Sequence, residues 1–369
     1  MRPTRAEVDL AALRHNLGAL RAHLGGTPRP AIYAVVKADA YGHGAVSVAA
    51  ALERAGVDGF AVSLLEEGIE LRRATRAPVL VLGGYYGSAH RALLDHDLTP
   101  IVFDPGDLEK LARAARPGRR VPMHVKVDTG MARLGVPLAA LDDFFAHLRK
   151  FDNLEVQGLC THLASADADD PEPTTEQLTC FETARASAQR AGLKPTLLHA
   201  ANSAGAVRFA ASRYDLVRPG IALLGDSAAP IAELPGAQPV LRLVTRVIAL
   251  REVPTGAPVS YGGLWRAPRR SRIATLPLGY ADGYPRRMTG TGEVLIAGQR
   301  VPVVGAVCMD MFMVDVTDVP TAQVGSEVVL LGQQQGERIS ARDWASWVGS
   351  VNYEIYCGIS KRVPRVYSG

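Results

Sequence analysis

Eight short apolar runs recur along the first part of the chain, and segments with a helical pattern separate them. The runs are rich in β-branched residues and lie near residues 32, 60, 80, 100, 124, 157, 197 and 217. The segments between them, such as Ala45 to Gly56, Leu65 to Ala74 and Pro105 to Ala115, space their apolar residues at three and four. Eight β/α units within about 230 residues predict an α/β fold that begins with a (β/α)8 barrel of the TIM type.

The pattern changes after about Leu234. Pro235, Gly236 and Pro239 form a boundary, and short stretches of alternating apolar and polar residues follow it. We therefore expect a barrel domain at residues 8–234 and a C-terminal all-β domain at residues 235–369. The opening residues 3–8 also have a strand pattern, and the sequence leaves open whether residues 1–7 join the second domain.

Charge and cysteine usage exclude several classes of function. The formal net charge of +4 comes mostly from dispersed arginines, and the densest arginine cluster, at residues 266–272, contains a proline and no interleaved aromatic residue. This is typical of a solvated loop and not of a nucleic-acid surface. The four cysteines are far apart and lack CxxC spacing, which argues against a zinc site or a redox pair. They are Cys160, Cys180, Cys308 and Cys357.

No apolar run reaches membrane-spanning length, and the first residues lack the apolar core of a signal peptide. We expect a soluble cytoplasmic protein with no metal, no membrane contact and no nucleic-acid partner.

In barrels of this type, residues at the C-terminal ends of the strands build the active site. The first such strand ends on a lysine, where burial is costly unless the amine has a partner or a chemical role. The polar residues at or just after the strand ends are Lys37 and Tyr41; Lys126, Asp128 and Arg133; His162, Ser165 and Asp167; His199, Asn202 and Ser203; and Arg218, Gly220 and Ile221.

The loops after the seventh and eighth strands read HAANSAG and VRPGIAL. Their small residues, serine hydroxyl and backbone amides suit a phosphate, which often binds at this place in the fold. A lysine across the barrel mouth is expected if the phosphate belongs to pyridoxal phosphate held as a Schiff base. Many barrels bind sugar phosphates beside an unmodified lysine, so the spacing leaves both interpretations open.

Several motifs together resemble the alanine racemase family, in order and across nearly the whole chain. They are AVVKADAYGHGA, KVDTGMARLG, THLASAD, HAANSAG, RPGIALLG, VSYGGLW, PLGYADGYPR, VGAVCMDM and NYEIYCGISKRVPRVY. The resemblance implies a barrel that binds pyridoxal 5'-phosphate, a C-terminal β-domain, and a homodimer with shared active sites. It also implies interconversion of L-alanine and D-alanine through a Schiff base, which would supply D-alanine for peptidoglycan.

The resemblance also implies roles for individual residues. Two bases would act on opposite faces of the α-carbon, because a single base would mostly restore the starting hand. These bases are Lys37 and, from the partner subunit, Tyr261, with His162, Arg218 and His199 in support. The residues implied in cofactor binding are Lys37, Tyr41, Arg133, Asn202, Ser203, Arg218, Gly220, Ile221 and Tyr353.

Arg218 would face the pyridine nitrogen of the cofactor. An arginine keeps its proton, so it would hydrogen-bond an unprotonated nitrogen and leave the ring a weaker electron sink. The expected consequence is suppressed transamination.

The remaining implied roles concern the substrate and the entrance. Arg133 and the Met309 amide would bind the substrate carboxylate, and Lys126 would be carbamylated and orient Arg133. The implied entrance residues are Tyr280, Asp310, Arg287 and Asp167. Ala306 and Met311 depart from common family residues, which puts the width of the channel in question.

Other activities remain open at this point. A broader racemase of small amino acids is one alternative. A decarboxylase of the same architecture is another, for which we would expect an acidic residue in place of Arg218 and a catalytic cysteine such as Cys308. A pyridoxal-phosphate carrier should lack the β-domain and the second base. The sequence does not separate biosynthetic from catabolic racemases.

Overall fold

The structure is a computed structural model that describes residues 2–26, 28–86 and 89–369. These residues form two compact units. The barrel unit comprises residues 13–40 and 45–238, and the β unit comprises residues 2–12, 41–44 and 239–369. The first strand, β1 (Arg5–Asp9), belongs to the β unit.

The barrel unit is built on a parallel sheet with the strand order β10-β2-β3-β4-β5-β6-β8-β9, and β7 pairs with β6. All eight predicted runs form strands of this sheet, which confirms the prediction of a barrel. Backbone bonds from Asp215 N–H to the Leu198 carbonyl (3.1 Å) and from Arg218 N–H to the Ala201 carbonyl (3.0 Å) connect β10 with the end of β9 and nearly close the barrel. The strands are β2 (Ala31–Val35), β3 (Gly59–Leu64), β4 (Val79–Gly84), β5 (Thr99–Val102), β6 (Val121–Asp128), β7 (Val136–Pro137), β8 (Leu154–Cys160), β9 (Leu197–His199) and β10 (Leu216–Val217).

Helices alternate with these strands, and most begin soon after a strand ends. Typical start signals are present: the Asp104 carboxylate accepts a hydrogen bond from Gly106 N–H (2.7 Å), and Pro105 occupies the first turn of α6. The helices are α1 (Leu10–Leu24), α2 (Lys37–Gly42), α3 (Ala45–Arg54), α4 (Leu65–Leu71), α5 (His90–Asp95), α6 (Pro105–Ala114), α7 (Leu141–Leu148), α8 (Glu172–Arg190) and α9 (Ser203–Arg208).

The alternation of side chains along β6 separates the hydrophobic core from the polar interior of the barrel. Met123, Val125 and Val127 are fully buried in a core cluster that includes the phenylalanines of α7. Because successive side chains of a strand point to opposite faces, His124 and Lys126 point into the barrel. The polar side chains of β6 therefore lie on the inner face of the sheet.

The β unit contains a mixed sheet with the strand order β12-β15-β18-β17-β16-β19-β11-β1-β21, β20 paired with β19, and a separate β13–β14 pair. β1 pairs antiparallel with β11 and parallel with β21, so the first residues do join this sheet. The strands are β11 (Leu241–Arg246), β12 (Ala249–Val253), β13 (Pro258–Val259), β14 (Trp265–Arg266), β15 (Ser271–Leu276), β16 (Glu293–Ile296), β17 (Gln299–Val304), β18 (Phe312–Asp315), β19 (Glu327–Gln334), β20 (Glu337–Ile339) and β21 (Arg365–Ser368).

The expected C-terminal sheet is confirmed, and the unit also contains two helices that the sequence analysis does not predict. They are α10 (Ala341–Val348) and α11 (Asn352–Gly358). Ser340 caps α10, because its hydroxyl accepts a hydrogen bond from Asp343 N–H (3.1 Å) and the Asp343 carboxylate accepts one from Ser340 N–H (2.7 Å). The buried Trp344 of α10 packs edge-on against Tyr284, with ring centroids 4.8 Å apart.

Candidate active site

Lys37 lies just beyond the C-terminal end of β2, at the start of an unusual turn. Residues 38–41 all have positive φ values between 51° and 54°, so this turn of α2 is left-handed. The Glu67 carboxylate of α4 accepts a hydrogen bond from Ala38 N–H at 2.6 Å and two more from the end of β3. Glu67 thus fixes the backbone directly after Lys37.

A cavity of about 260 Å³ occupies the barrel mouth. Five of its lining side chains are basic, and no Asp or Glu is among the lining residues that the structure describes. Such a cavity suits an anionic ligand, because the lining that the structure describes carries several positive charges and no carboxylate. Its lining residues are Lys37, Ser63, Leu82, Ile101, Lys126, Arg133, Leu134, Cys160, Thr161, His162 and Arg218.

Arg218 follows β10 and is buried at this cavity. Its Nη2 donates to the carbonyls of Thr161 (2.7 Å) and Ala200 (3.0 Å), and its Nη1 donates to Nδ1 of His199 (2.5 Å). These three bonds fix the plane of the guanidinium. The positive charge of Arg218 is therefore held rigidly at the bottom of the cavity.

Lys126 and His162 both have pKa values below their ordinary values. Burial is the main cause for Lys126, and Arg133 and Arg218 act in the same direction. Burial also lowers the pKa of His162 well below its usual value, together with the charges of Arg218 and the nearby lysines. His162 is consequently neutral at physiological pH, and one nitrogen of its ring can accept a hydrogen bond.

The loop that carries Arg133 is organised by Asp128, the last residue of β6. One oxygen of the Asp128 carboxylate accepts hydrogen bonds from the N–H groups of Gly130 (3.0 Å), Met131 (2.9 Å) and Ala132 (3.1 Å). Burial alone would raise the pKa of this carboxyl, but the three donors lower it below its usual value. The loop is thus held by an ionised carboxylate.

Ser203 and Gly220 approach each other beside the last strands of the barrel. Gly220 N–H donates to the Ser203 hydroxyl oxygen at 2.9 Å, and Ala222 N–H does so at 3.4 Å, so Ile221 lies between two converging amides. Asn202 caps α9 by accepting a hydrogen bond from Gly205 N–H (2.9 Å). Hydroxyl and amide donors at this place could hold a phosphate.

A second group of predicted residues surrounds a cavity of about 860 Å³ in the β unit. Tyr261, Tyr280, Met309 and Asp310 line this cavity, as do Ala306 and Met311. The Tyr261 side chain is 77% exposed within the single chain. Tyr261 is therefore available to a molecule or a chain that covers this face.

Other predicted residues lie outside the two linings. The rings of Tyr41 and Tyr353, both in the β unit, have centroids 5.9 Å apart. Arg287 donates to the Val348 carbonyl (3.2 Å), and its neighbour Arg286 lines the β-unit cavity instead. Asp167 lies after β8 in the barrel unit and is not among the residues that line the barrel cavity.

Sequence reasoning missed two side chains that organise the site. Glu67 is one; it follows another acidic residue on an ordinary helix, so the sequence carries no signal for it. His124 is the other, since it bonds His199 (2.7 Å) from the middle of a buried strand. The one sequence signal for His124 is its position as a polar residue within the apolar run of a strand.

Metal and membrane features can be stated for the residues that the structure describes. Among them, no group of three or more His, Cys, Asp or Glu side chains could hold a metal ion. No helix in that part of the chain is long and apolar enough to cross a membrane.

The fold and the site define a class of protein: a parallel barrel whose mouth presents a lysine and a cationic cavity, with an additional β unit. Comparison with known proteins identifies the class further. Residues 8–228 match the family model of the alanine racemase N-terminal domain, and residues 240–367 match that of the C-terminal domain.

Full-length relatives and solved structures agree with these matches. The chain is 48% identical to an alanine racemase of Sorangium cellulosum, and the alignment covers 100% of this chain and 99% of the relative. It is 45% identical to an alanine racemase of Geobacter sulfurreducens, and that alignment covers 99% of this chain and 97% of the relative. It is also similar to the crystal structure of a Bacillus anthracis alanine racemase with bound L-Ala-P, with a TM-score of 0.93 and 35% sequence identity. This match covers 100% of the present chain and 96% of the Bacillus anthracis chain. The chain belongs to the alanine racemase family.

Proposed function

We propose that this chain interconverts L-alanine and D-alanine with pyridoxal 5'-phosphate bound in the barrel cavity. The observation that carries the proposal is the set of basic side chains around that cavity, with no carboxylate among the described lining residues. A phosphorylated aldehyde fits this set, because it needs a lysine amine, cationic neighbours and a phosphate cradle. When bound, the cofactor would supply an electron sink that acidifies the α-proton of the amino acid.

Lys37 and Tyr261 are proposed as the two bases. Lys37 would hold the cofactor and then move a proton at its Nζ on one face of the substrate. Tyr261 of the partner subunit would move a proton at its phenolic oxygen on the other face. Its high exposure within one chain supports a role completed by a second copy. His162, neutral and next to Arg218, would accept and return the tyrosine proton, with His199 behind Arg218.

Arg218 would donate a hydrogen bond toward the cofactor ring nitrogen. Its rigid, buried guanidinium supports this role, since it cannot give up its proton to the ring. Ser203, the amides of Gly220 and Ile221, and the Tyr41 and Tyr353 hydroxyls would bind the phosphate. Asn202 would hold the loop that presents Ser203.

Arg133 would bind the substrate carboxylate, assisted by the Met309 amide of the partner subunit. We further propose that Lys126 is carbamylated. Its lowered pKa leaves more of the neutral amine, whose nitrogen can attack carbon dioxide, forming an N–C bond and releasing a proton to solvent. The resulting anion would offset the cations around it and orient Arg133. An intact mass without this addition under native conditions would contradict the modification.

The wider proposal is a cytoplasmic homodimer of two-domain subunits, with boundaries at residues 8–234 and 235–369, that supplies D-alanine for peptidoglycan. Tyr280, Asp310, Arg287 and Asp167 would lie along the entrance. Ala306 and Met311 line the β-unit cavity, so serine and other small amino acids should be assayed beside alanine.

The test is to incubate the protein with pyridoxal phosphate and L-alanine in heavy water, and to follow optical activity and α-deuterium together. Wild-type protein should lose optical activity as deuterium enters the α-carbon. A Tyr261→Phe variant should lose racemisation in both directions, because the two enantiomers have equal free energy, whereas D-alanine should still exchange its α-proton and L-alanine should not. Cofactor binding without any α-exchange would overturn the proposed function and point to a carrier or to another substrate.

A further inference from the structure

A row of polar side chains extends from Arg218 through two buried histidines to the half-buried Gln157. Arg218 is bonded to His199 at the end of β9, and Nε2 of His199 lies 2.7 Å from Nδ1 of His124 in β6. The two histidines are at most 1% exposed. Gln157 of β8 forms a side-chain hydrogen bond with His124 and ends the row.

The direction of every hydrogen bond in this row follows from its first member. A guanidinium only donates, so Nδ1 of His199 must accept from Arg218. A neutral His199 then carries its proton on Nε2 and donates it to Nδ1 of His124. His124 in turn carries its proton on Nε2 and donates to the Gln157 side chain. Each imidazole is thereby limited to one tautomer.

The surroundings favour neutral rings. Burial, with the Arg218 charge, lowers the pKa of His124 to about 4 and that of His199 well below its ordinary value. Position 158 must also be glycine, because a Cβ there would lie 2.3 Å from Nδ1 of His124. A protonated His124 would present a donor to the donor of His199, so the row is consistent only when both rings are neutral.

We propose that His124 is a positioning residue: it accepts the Nε2 proton that Arg218 imposes on His199, holds the His199 ring in place and thereby orients the Arg218 guanidinium. The proposal rests on the proposed function only in that Arg218 acts on the bound cofactor. Without the His124 acceptor, the Nε2 proton of His199 would have no partner in the row, and the other tautomer would oppose the Arg218 donor.

The first measurement is spectroscopic and does not depend on catalysis. Long-range proton–nitrogen correlation on the full chain with labelled histidine should show His199 and His124 neutral, each protonated on Nε2, before and after pyridoxal phosphate is added. His124→Leu should shift the Nε2 resonances of His199 away from this signature, because the Nε2 proton then has no acceptor in the row. His124→Asn should retain it, because its amide oxygen can accept near the place of Nδ1.

The second measurement is kinetic. His124→Leu should lower kcat at least about tenfold in both directions with a smaller change in KM, and His124→Asn should restore most of it. His90 offers a matched control, since it is a buried histidine of the same unit that bonds Asp107 (3.0 Å). His90→Asn should lower stability without this loss of kcat.

The outcomes separate the two proposals. His199 protonated on Nδ1 in the wild type, or a folded His124→Leu with wild-type kcat, would overturn the role of His124. If His124→Leu does not fold, the wild-type spectrum and His124→Asn still decide. A wild-type protein with the expected tautomers but no exchange at the α-carbon of alanine would overturn the proposed function and leave the row intact.

Discussion

The left-handed turn after Lys37 should make one alanine-to-glycine substitution stabilising. Ala38, Asp39, Ala40 and Tyr41 have φ values of 51°, 54°, 52° and 52°. A left-handed helical conformation costs an L-residue about 1–2 kcal/mol, so four in succession store about 4–8 kcal/mol. Bonds such as that of Ala38 N–H to Glu67 (2.6 Å) help to offset this strain.

Ala38→Gly removes the strain at one position and only an exposed methyl group. Glycine adopts positive φ without penalty, but its greater freedom in the unfolded chain costs about 0.5–1 kcal/mol. The net expectation is a gain of about 0.5–1 kcal/mol in the free energy of unfolding. Ala22→Gly is the matched control, because Ala22 is an exposed residue of the right-handed helix α1 and should lose about 1 kcal/mol.

The assay is urea unfolding of both variants and the wild type without cofactor, followed by circular dichroism. The two substitutions are chemically identical, so the difference in sign isolates the backbone conformation. Equal destabilisation by Ala38→Gly and Ala22→Gly would refute the strain argument.

Further predictions concern the barrel interior. Asp128→Ala should raise KM for alanine about tenfold, because the loop bearing Arg133 loses its shared acceptor; an unchanged KM in steady-state kinetics would contradict this. Gly158→Ala should destabilise the fold by about 1–3 kcal/mol through the clash with His124, whereas Gly18→Ala, with open space around it, should stabilise α1 in the same unfolding assay. His124 titrates near 6.5 when unfolded but at about 4 when folded, so its stabilising contribution is complete above about pH 6.5. About 3 kcal/mol should be lost as the pH falls toward 4, and urea midpoints independent of pH would refute this.

The barrel could be predicted from the sequence because its signals are local. Strand periodicity and the lysine after the first barrel strand are visible in a short window, and the polar residues at strand ends follow once the strands are known. The motif of α10 was equally local, since Ser340 and Asp343 form a capping box at helical spacing. The strand patterns on the N-terminal side of this motif favour a sheet and obscure the helix signal.

The rest depends on contacts between distant parts of the chain. No propensity indicates that Ala38 to Tyr41 adopt positive φ, and the turn is held in part by Glu67 from another helix. Likewise, His124 and His199 are 75 residues apart in sequence and meet only because β6, β8 and β9 are neighbours in the sheet. Such pairings follow from strand order and not from the residues themselves.

The electrostatics of the cavity connect ligand binding with stability. Burying the charges of Lys126 and Arg218 is unfavourable, which is why the pKa of Lys126 is lowered and why the buried histidines near Arg218 are neutral. An anion in the cavity relieves this repulsion only in the folded state, so its binding energy adds directly to the free energy of unfolding. The excess of positive charge therefore lowers the free energy of unfolding of the ligand-free chain, and binding of an anionic ligand raises it again. The same charge makes the cavity bind anions in preference to neutral molecules of the same size.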